Sequence, residues 1–158
     1  MSFLSLSLND VDTSMPLLVE GKHEVTITEA SVVEAKSTPG CYNLKLVFAT
    51  TQPSTDNKGK ALNAGYKLTR FYPAPSELRD PEKNDMFKKA LCLLQLAICG
   101  LPNTEEGKSQ LPPFDETFIA SMFGRSVIAN VKTSKVKDGD DDTYGPKSEV
   151  AAVYSING

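Results

Sequence analysis

Apolar and polar residues alternate with period 2 in five places along the chain, the spacing that turns one face of a strand inward and the other outward. The first run starts at Glu20-Gly21, where Val25 and Ile27 alternate with Glu24, Thr26 and Thr28, and carries on from Ala30 to Val33. Ser37-Thr38-Pro39-Gly40 follows as a turn whose Pro and Gly preset the backbone angles, so the second run returns as a hairpin. That second run, residues 41–50, alternates most cleanly: Tyr42, Leu44, Leu46 and Phe48 share one face and Cys41, Asn43, Lys45 and Val47 the other. Residues 51–59 contain no hydrophobic residue and read as a flexible, exposed loop. A third strand is expected over 60–72, antiparallel to the second. A fourth is expected over 125–136, with Val127, Ala129 and Val131 against Ile128, Asn130 and Lys132, and a fifth over 148–156.

Between the third and fourth strands the period changes to that of a helix. Asp80 before Pro81 supplies an N-cap and a first-turn proline, and Met86, Phe87, Ala90, Leu91, Leu94, Ala97 and Ile98 recur at helical spacing as far as Gly100, with Pro102 beyond. Leu93 and Leu96 widen the apolar stripe, leaving Lys88, Lys89 and Gln95 for solvent. A polar connection over 101–114 leads to a short helix at 115–123, with Phe118, Ile119, Met122 and Phe123 as its apolar side and Gly124 as its stop. The order is α+β and the content mainly β: a five-stranded OB-like barrel with one main helix between strands three and four. Residues 19–158 form the single domain. Residues 1–18 precede it as an N-terminal arm, in which Leu4, Leu6 and Leu8 alternate with serines. Such an arm serves as an edge strand, as a dock on a second subunit of a homo-oligomer, or as a loose terminus.

A length of 158 residues suits one core, and 40% hydrophobic with 23% charged residues is ordinary for a globular protein. The net charge of -3 excludes a uniformly basic coat. Its distribution is uneven, however: from Lys36 to Lys89 ten cations stand against five anions, while acids gather near both ends and at 138–142. Cys41, Cys92 and Cys99 form no Cys-x-x-Cys pair, which fits a reducing, cytoplasmic setting. No run is long and apolar enough for a membrane span, and no signal-like segment opens the chain.

The cationic stretch includes the most unusual strand. Residues 65–72 put Tyr66, Leu68, Arg70 and Tyr72 on one face and Lys67, Thr69 and Phe71 on the other, so rings and cations occur on both sides. An aromatic face beside a cation is what stacking a base while neutralising its phosphate requires. If Leu68 points inward, Lys67, Thr69 and Phe71 face outward; Arg70 then borders the groove or neutralises an acid, and Tyr72 reaches the groove from the rim. Lys45, Lys67, Arg70, Lys132, Lys135 and Lys147 are the candidates for a phosphate backbone, and Phe71, Tyr72 and Tyr144 for stacking. Tyr66 is a further ring on the same strand, and Tyr42, sharing a face with Leu44 and Leu46, is expected in the core.

Catalytic chemistry is poorly supplied. His23 is the only histidine, and the chain has neither a Gly-rich phosphate loop nor a recognisable nucleophile motif. Asp138, Asp140 and Asp142 alternate as in a calcium loop, and Glu149 falls at the twelfth position, but Thr143 occupies the sixth, where the turn needs glycine, and strands rather than helices bracket it. No metal, cofactor or catalytic residue is assigned, and the loop reads as a solvated hairpin tip.

Several segments together resemble a known family. They are the opening Met-Ser-Phe-Leu, Val19-Glu20-Gly21 before Val25-Thr26-Ile27, Pro39-Gly40 before Leu44-Lys45-Leu46-Val47-Phe48, Phe123-Gly124-Arg125-Ser126-Val127, and Tyr144-Gly145-Pro146-Lys147-Ser148-Glu149-Val150. Their order and spacing are similar to those of bacteriophage-encoded single-stranded-DNA-binding proteins with an OB-like barrel. The resemblance implies sequence-tolerant binding of single-stranded DNA in phage DNA replication or recombination, in the host cytoplasm, with replication or recombination proteins as partners. The chain departs from many such proteins in ending Tyr154-Ser155-Ile156-Asn157-Gly158 without an acidic tail, which puts tail-mediated recruitment in doubt. The alternative from another class is a non-enzymatic β-barrel module for protein interaction or virion assembly, working through the arm or a sheet edge.

Overall fold

The computed structural model describes residues 16–134 and 147–156, together with Ser7 and Asn9. The Leu4-Leu6-Leu8 pattern, the aspartates at 138–142, Lys135 and Tyr144 lie outside the described residues. The protein is mainly β, and its described residues form an antiparallel sheet of five strands with three helices. In chain order the elements are β1 (Gly21–Glu34), β2 (Tyr42–Thr50), β3 (Ser54–Thr55), β4 (Ala61–Leu62), β5 (Lys67–Pro73), α1 (Pro81–Cys99), α2 (Glu105–Ser109), α3 (Glu116–Ser121), β6 (Ser126–Ser134) and β7 (Lys147–Tyr154).

The sheet runs β5-β2-β1-β6-β7, while β3 and β4 pair separately as a small hairpin. β1 is central and serves both halves. Its residues 21–26 pair with β6 and its residues 25–34 with β2, and a bulge between Ile27 and Glu29 bends it where one duty passes to the other. The edge strands β5 and β7 contact one another, and α1 packs on both. Inward residues of all five strands, among them Ile27, Leu46, Phe48, Leu68, Val127 and Val150, enclose one core with Leu94 and Ile98 of α1 and Phe118 of α3.

The expected third strand is divided. Thr50 Oγ1 accepts from the backbone N–H of Gly65 (3.1 Å) and of Tyr66 (3.0 Å), so the chain enters β2's neighbourhood only at residue 65. Gly65 has φ 99°, a conformation that suits glycine and interrupts a strand. The stretch at 51–59 is not a loose loop either. Asp56 is buried, and its Oδ1 accepts from Lys58 N at 2.8 Å and Lys60 N at 2.9 Å, while Val19 N donates to Thr55 O at 3.0 Å. A buried carboxylate with backbone donors orders a polar segment without any hydrophobic residue.

α1 starts and stops where its caps predict. Asp80 accepts from Glu82 N at 2.9 Å, and Gly100 closes the helix in the left-handed region at φ 69°. Only the C-terminal half is buried, however. Met86 is 67% exposed, and Gln95, expected in solvent, is buried with its Nε2 donating to Pro112 O at 2.8 Å. The connection expected over 101–114 contains α2, capped by Thr104, and α3 ends at Ser121, which leaves Phe123 exposed.

Candidate nucleic-acid interface

The outward face of β2 and β5 gathers the candidates. Leu44, Leu46 and Phe48 of β2, and Leu68 and Tyr72 of β5, are buried in the core. Alternation then turns Asn43, Lys45 and Val47, and Lys67, Thr69 and Phe71, to the opposite side. Antiparallel pairing places Phe71 opposite Lys45, Thr69 opposite Val47, and Lys67 opposite Ala49. A ring and an ammonium group thus share one rung, with side chains rooted about 5 Å apart. Phe71 is 51% exposed, leaving a ring surface open on the rung it shares with Lys45. The next strand adds Ser31 opposite Lys45 and Glu29 opposite Val47. Glu29 reaches diagonally to Lys45, with Oε2 3.2 Å from Nζ.

Two further residues belong here that the sequence did not mark. Arg79, just before α1, donates from one terminal nitrogen to Ala74 O at 2.8 Å and from the other to Asn43 Oδ1 at 3.2 Å. Its guanidinium also lies 5.3 Å from the centre of the Phe87 ring. Arg79 is therefore held against an outward residue of β2, at the end of the row that contains Lys45. Glu29 is the other: the only acid paired with a cation of this face among the described residues.

Several expected members fall elsewhere. Arg70 is on the core-facing side of β5 and stacks over the Tyr72 ring at 4.3 Å, so it neither borders the outward face nor neutralises an acid among the described residues. Tyr72 is 3% exposed and packs in the core rather than reaching the face from its rim. Burial pushes its hydroxyl up to about 12, against a smaller lowering by the Arg70 charge. Lys132 lies on β6 opposite Glu149, and Lys147 at the start of β7 opposite Ser134, both beyond β1 from the Phe71 rung. Tyr42, the first residue of β2, is exposed instead of buried, whereas Cys41 just before it, expected on the outward face, is fully buried. Tyr66 donates its hydroxyl to Pro16 O at 2.9 Å.

His23 lies 2.7 Å through Nε2 from Val19 O, so that nitrogen carries the hydrogen and donates it. Among the described residues no three His, Cys, Asp or Glu side chains cluster in a way that could hold a metal ion, and no helix is long and apolar enough to cross a membrane. Neither a protein-family model nor a curated protein matches the chain.

Proposed function

We propose that the protein binds single-stranded DNA, with little sequence preference, on the outward face of β2 and β5. The Phe71–Lys45 rung carries this proposal: a half-exposed ring directly across the ladder from an ammonium group, flanked by Lys67 and Thr69. The ring offers a base a stacking surface that is indifferent to base identity, and the cations take the phosphates on either side. The strand order supports an OB-type barrel. β1 joins a β1-β2-β5 meander to the β6-β7 hairpin by pairing with both β2 and β6, the two edges touch, and α1 lies between the third and fourth long strands in the chain. In such barrels, the face of the second and third strands binds oligonucleotides, and here those strands are β2 and β5. The role in phage DNA replication or recombination rests on the family resemblance.

The test is a fluorescence-anisotropy titration of labelled oligo-dT, the equivalent RNA and duplex DNA at two salt concentrations. Oligo-dT is expected to bind more weakly as salt rises, and Phe71→Ala to lose about 1–3 kcal/mol. Absence of oligo-dT binding at low salt refutes the proposal. An intact fold with unchanged affinity in Phe71→Ala removes the ring from the site.

A further inference from the structure

The seam where β5, β7 and α1 meet contains a cavity of about 460 Å³, of the size that small-molecule sites occupy. Its walls are mostly apolar, with Leu93, Leu94 and Ala97 from α1, Leu101 beyond it, and Val153 from β7. Arg70 is the only charged residue among the described residues of that lining. Its guanidinium is oriented by the Tyr72 ring at 4.3 Å, and among the described residues it has neither a hydrogen bond nor an ion pair. A half-buried cation beside apolar walls is costly unless an anion or a set of acceptors meets it. The ring contact offsets part of that cost and fixes the fork in place, but it leaves the N–H donors without a protein acceptor among the described residues.

The geometry points to this cavity as a binding site for an apolar carboxylate, with Arg70 holding the carboxyl group and the α1 and β7 side chains enclosing an aliphatic or aromatic body. One guanidinium matches the planar, singly charged carboxylate in a two-bond fork. A phosphate would need further donors, and among the described residues that line these walls there is no second cation. A nucleic-acid strand, which needs a track of cations, is disfavoured on the same ground. The site is separate from the outward face of β2 and β5, because Arg70 and Phe71 are adjacent in sequence and project to opposite sides of β5. It therefore does not depend on DNA binding.

Two sources share this chemistry: a free small acid, and the C-terminal residue of a peptide. Three probes separate them, namely 4-phenylbutyrate, acetyl-Leu-Phe with a free carboxyl, and acetyl-Leu-Phe amide. Each is titrated into the full chain with NMR detection of the methyl groups of Leu93, Leu94 and Val153. Either acid is expected to shift those methyls saturably, and the amide to bind about tenfold more weakly or not at all, the loss of one charge-assisted contact. Shifts with the peptide acid alone assign the site to peptide C-termini, and with phenylbutyrate alone to small acids. Arg70→Gln should weaken the acids about tenfold and leave oligo-dT affinity unchanged. If Arg70→Gln does not fold, Ala151→Glu, at an exposed position of the lining, replaces it: the added carboxylate is expected to block the acids. Absence of saturable shifts with both acids, equal binding of acid and amide, or a loss of oligo-dT affinity in folded Arg70→Gln overturns the inference.

Discussion

Replacing Glu29 by Gln should tighten the binding of single-stranded DNA. In the free protein Glu29 Oε2 lies 3.2 Å from Lys45 Nζ, so a carboxylate occupies the place a phosphate would take. Lys45 must leave it to contact DNA. The side chains are 34% and 47% exposed, and a pair so open to water contributes only about 0.2–1 kcal/mol. Removing it from the free state therefore raises affinity by between about 1.5-fold and 5-fold. The extra uncompensated cation also steepens the logarithmic salt dependence, by up to about 0.7. Anisotropy titrations of labelled oligo-dT over a salt series measure both quantities. The double-mutant cycle with Lys45→Ala isolates the pair, because Glu29→Gln should have little effect once the ammonium group is gone. Unchanged or weaker binding by a folded Glu29→Gln variant, or an equal gain in the Lys45→Ala background, would refute this account.

Three other outcomes follow from packing and protonation. The hydroxyl of Tyr72 is raised to about 12 in the folded state from 10.0, so below pH 10 both states keep the proton and its contribution is intact. Between pH 10 and 12 only the unfolded state loses it, and stability falls by about 2–3 kcal/mol; urea titrations across that range should show the drop in wild type and its absence in Tyr72→Phe. Asp56→Ala removes the acceptor of two backbone N–H groups and should cost about 1–3 kcal/mol, seen as faster hydrogen exchange at Lys58 and Lys60; unchanged protection there would contradict the ordering role of the carboxylate. A Cβ at Gly107 would overlap the backbone oxygen of Pro102, so Gly107→Ala should destabilise by about 1–3 kcal/mol in thermal melts, and a melt matching wild type would show that α2 shifts freely.

The parts of the fold legible in the sequence were those set by short-range rules. The β1-β2 hairpin, both caps of α1, and the inward turn of Leu68 that sends Lys67, Thr69 and Phe71 outward all follow from alternation, turn residues and helical spacing. What escaped was set by partners remote in sequence. Gln95 has the polarity of a surface residue, yet Pro112 O gives it a buried acceptor. Thr50 breaks the third strand through hydrogen bonds to residues 15 and 16 positions away. Arg79 reads as part of a helix approach, and only a bond to Asn43, 36 residues earlier, brings it to the outward face. Tyr42 shows the limit of periodicity itself, since sharing a face with Leu44 does not bury a residue at the end of its strand.

The division of β1 between its two neighbours also sets an order of assembly. β2 joins β1 through a turn of a few residues, whereas the Thr26 and Ser126 hydroxyls that meet at 3.0 Å are 100 residues apart in the chain. Closing a loop of that length costs about 4 kcal/mol in chain entropy, roughly 2 kcal/mol more than closing the hairpin. The β1-β2-β5 meander should therefore form ahead of β6 docking, and folding-rate measurements should give higher φ-values for core substitutions in β2 than in β6. The strands that carry Phe71 and Lys45 would then be the first laid down, and the late arrival of β6 would finish the core behind a face already in register.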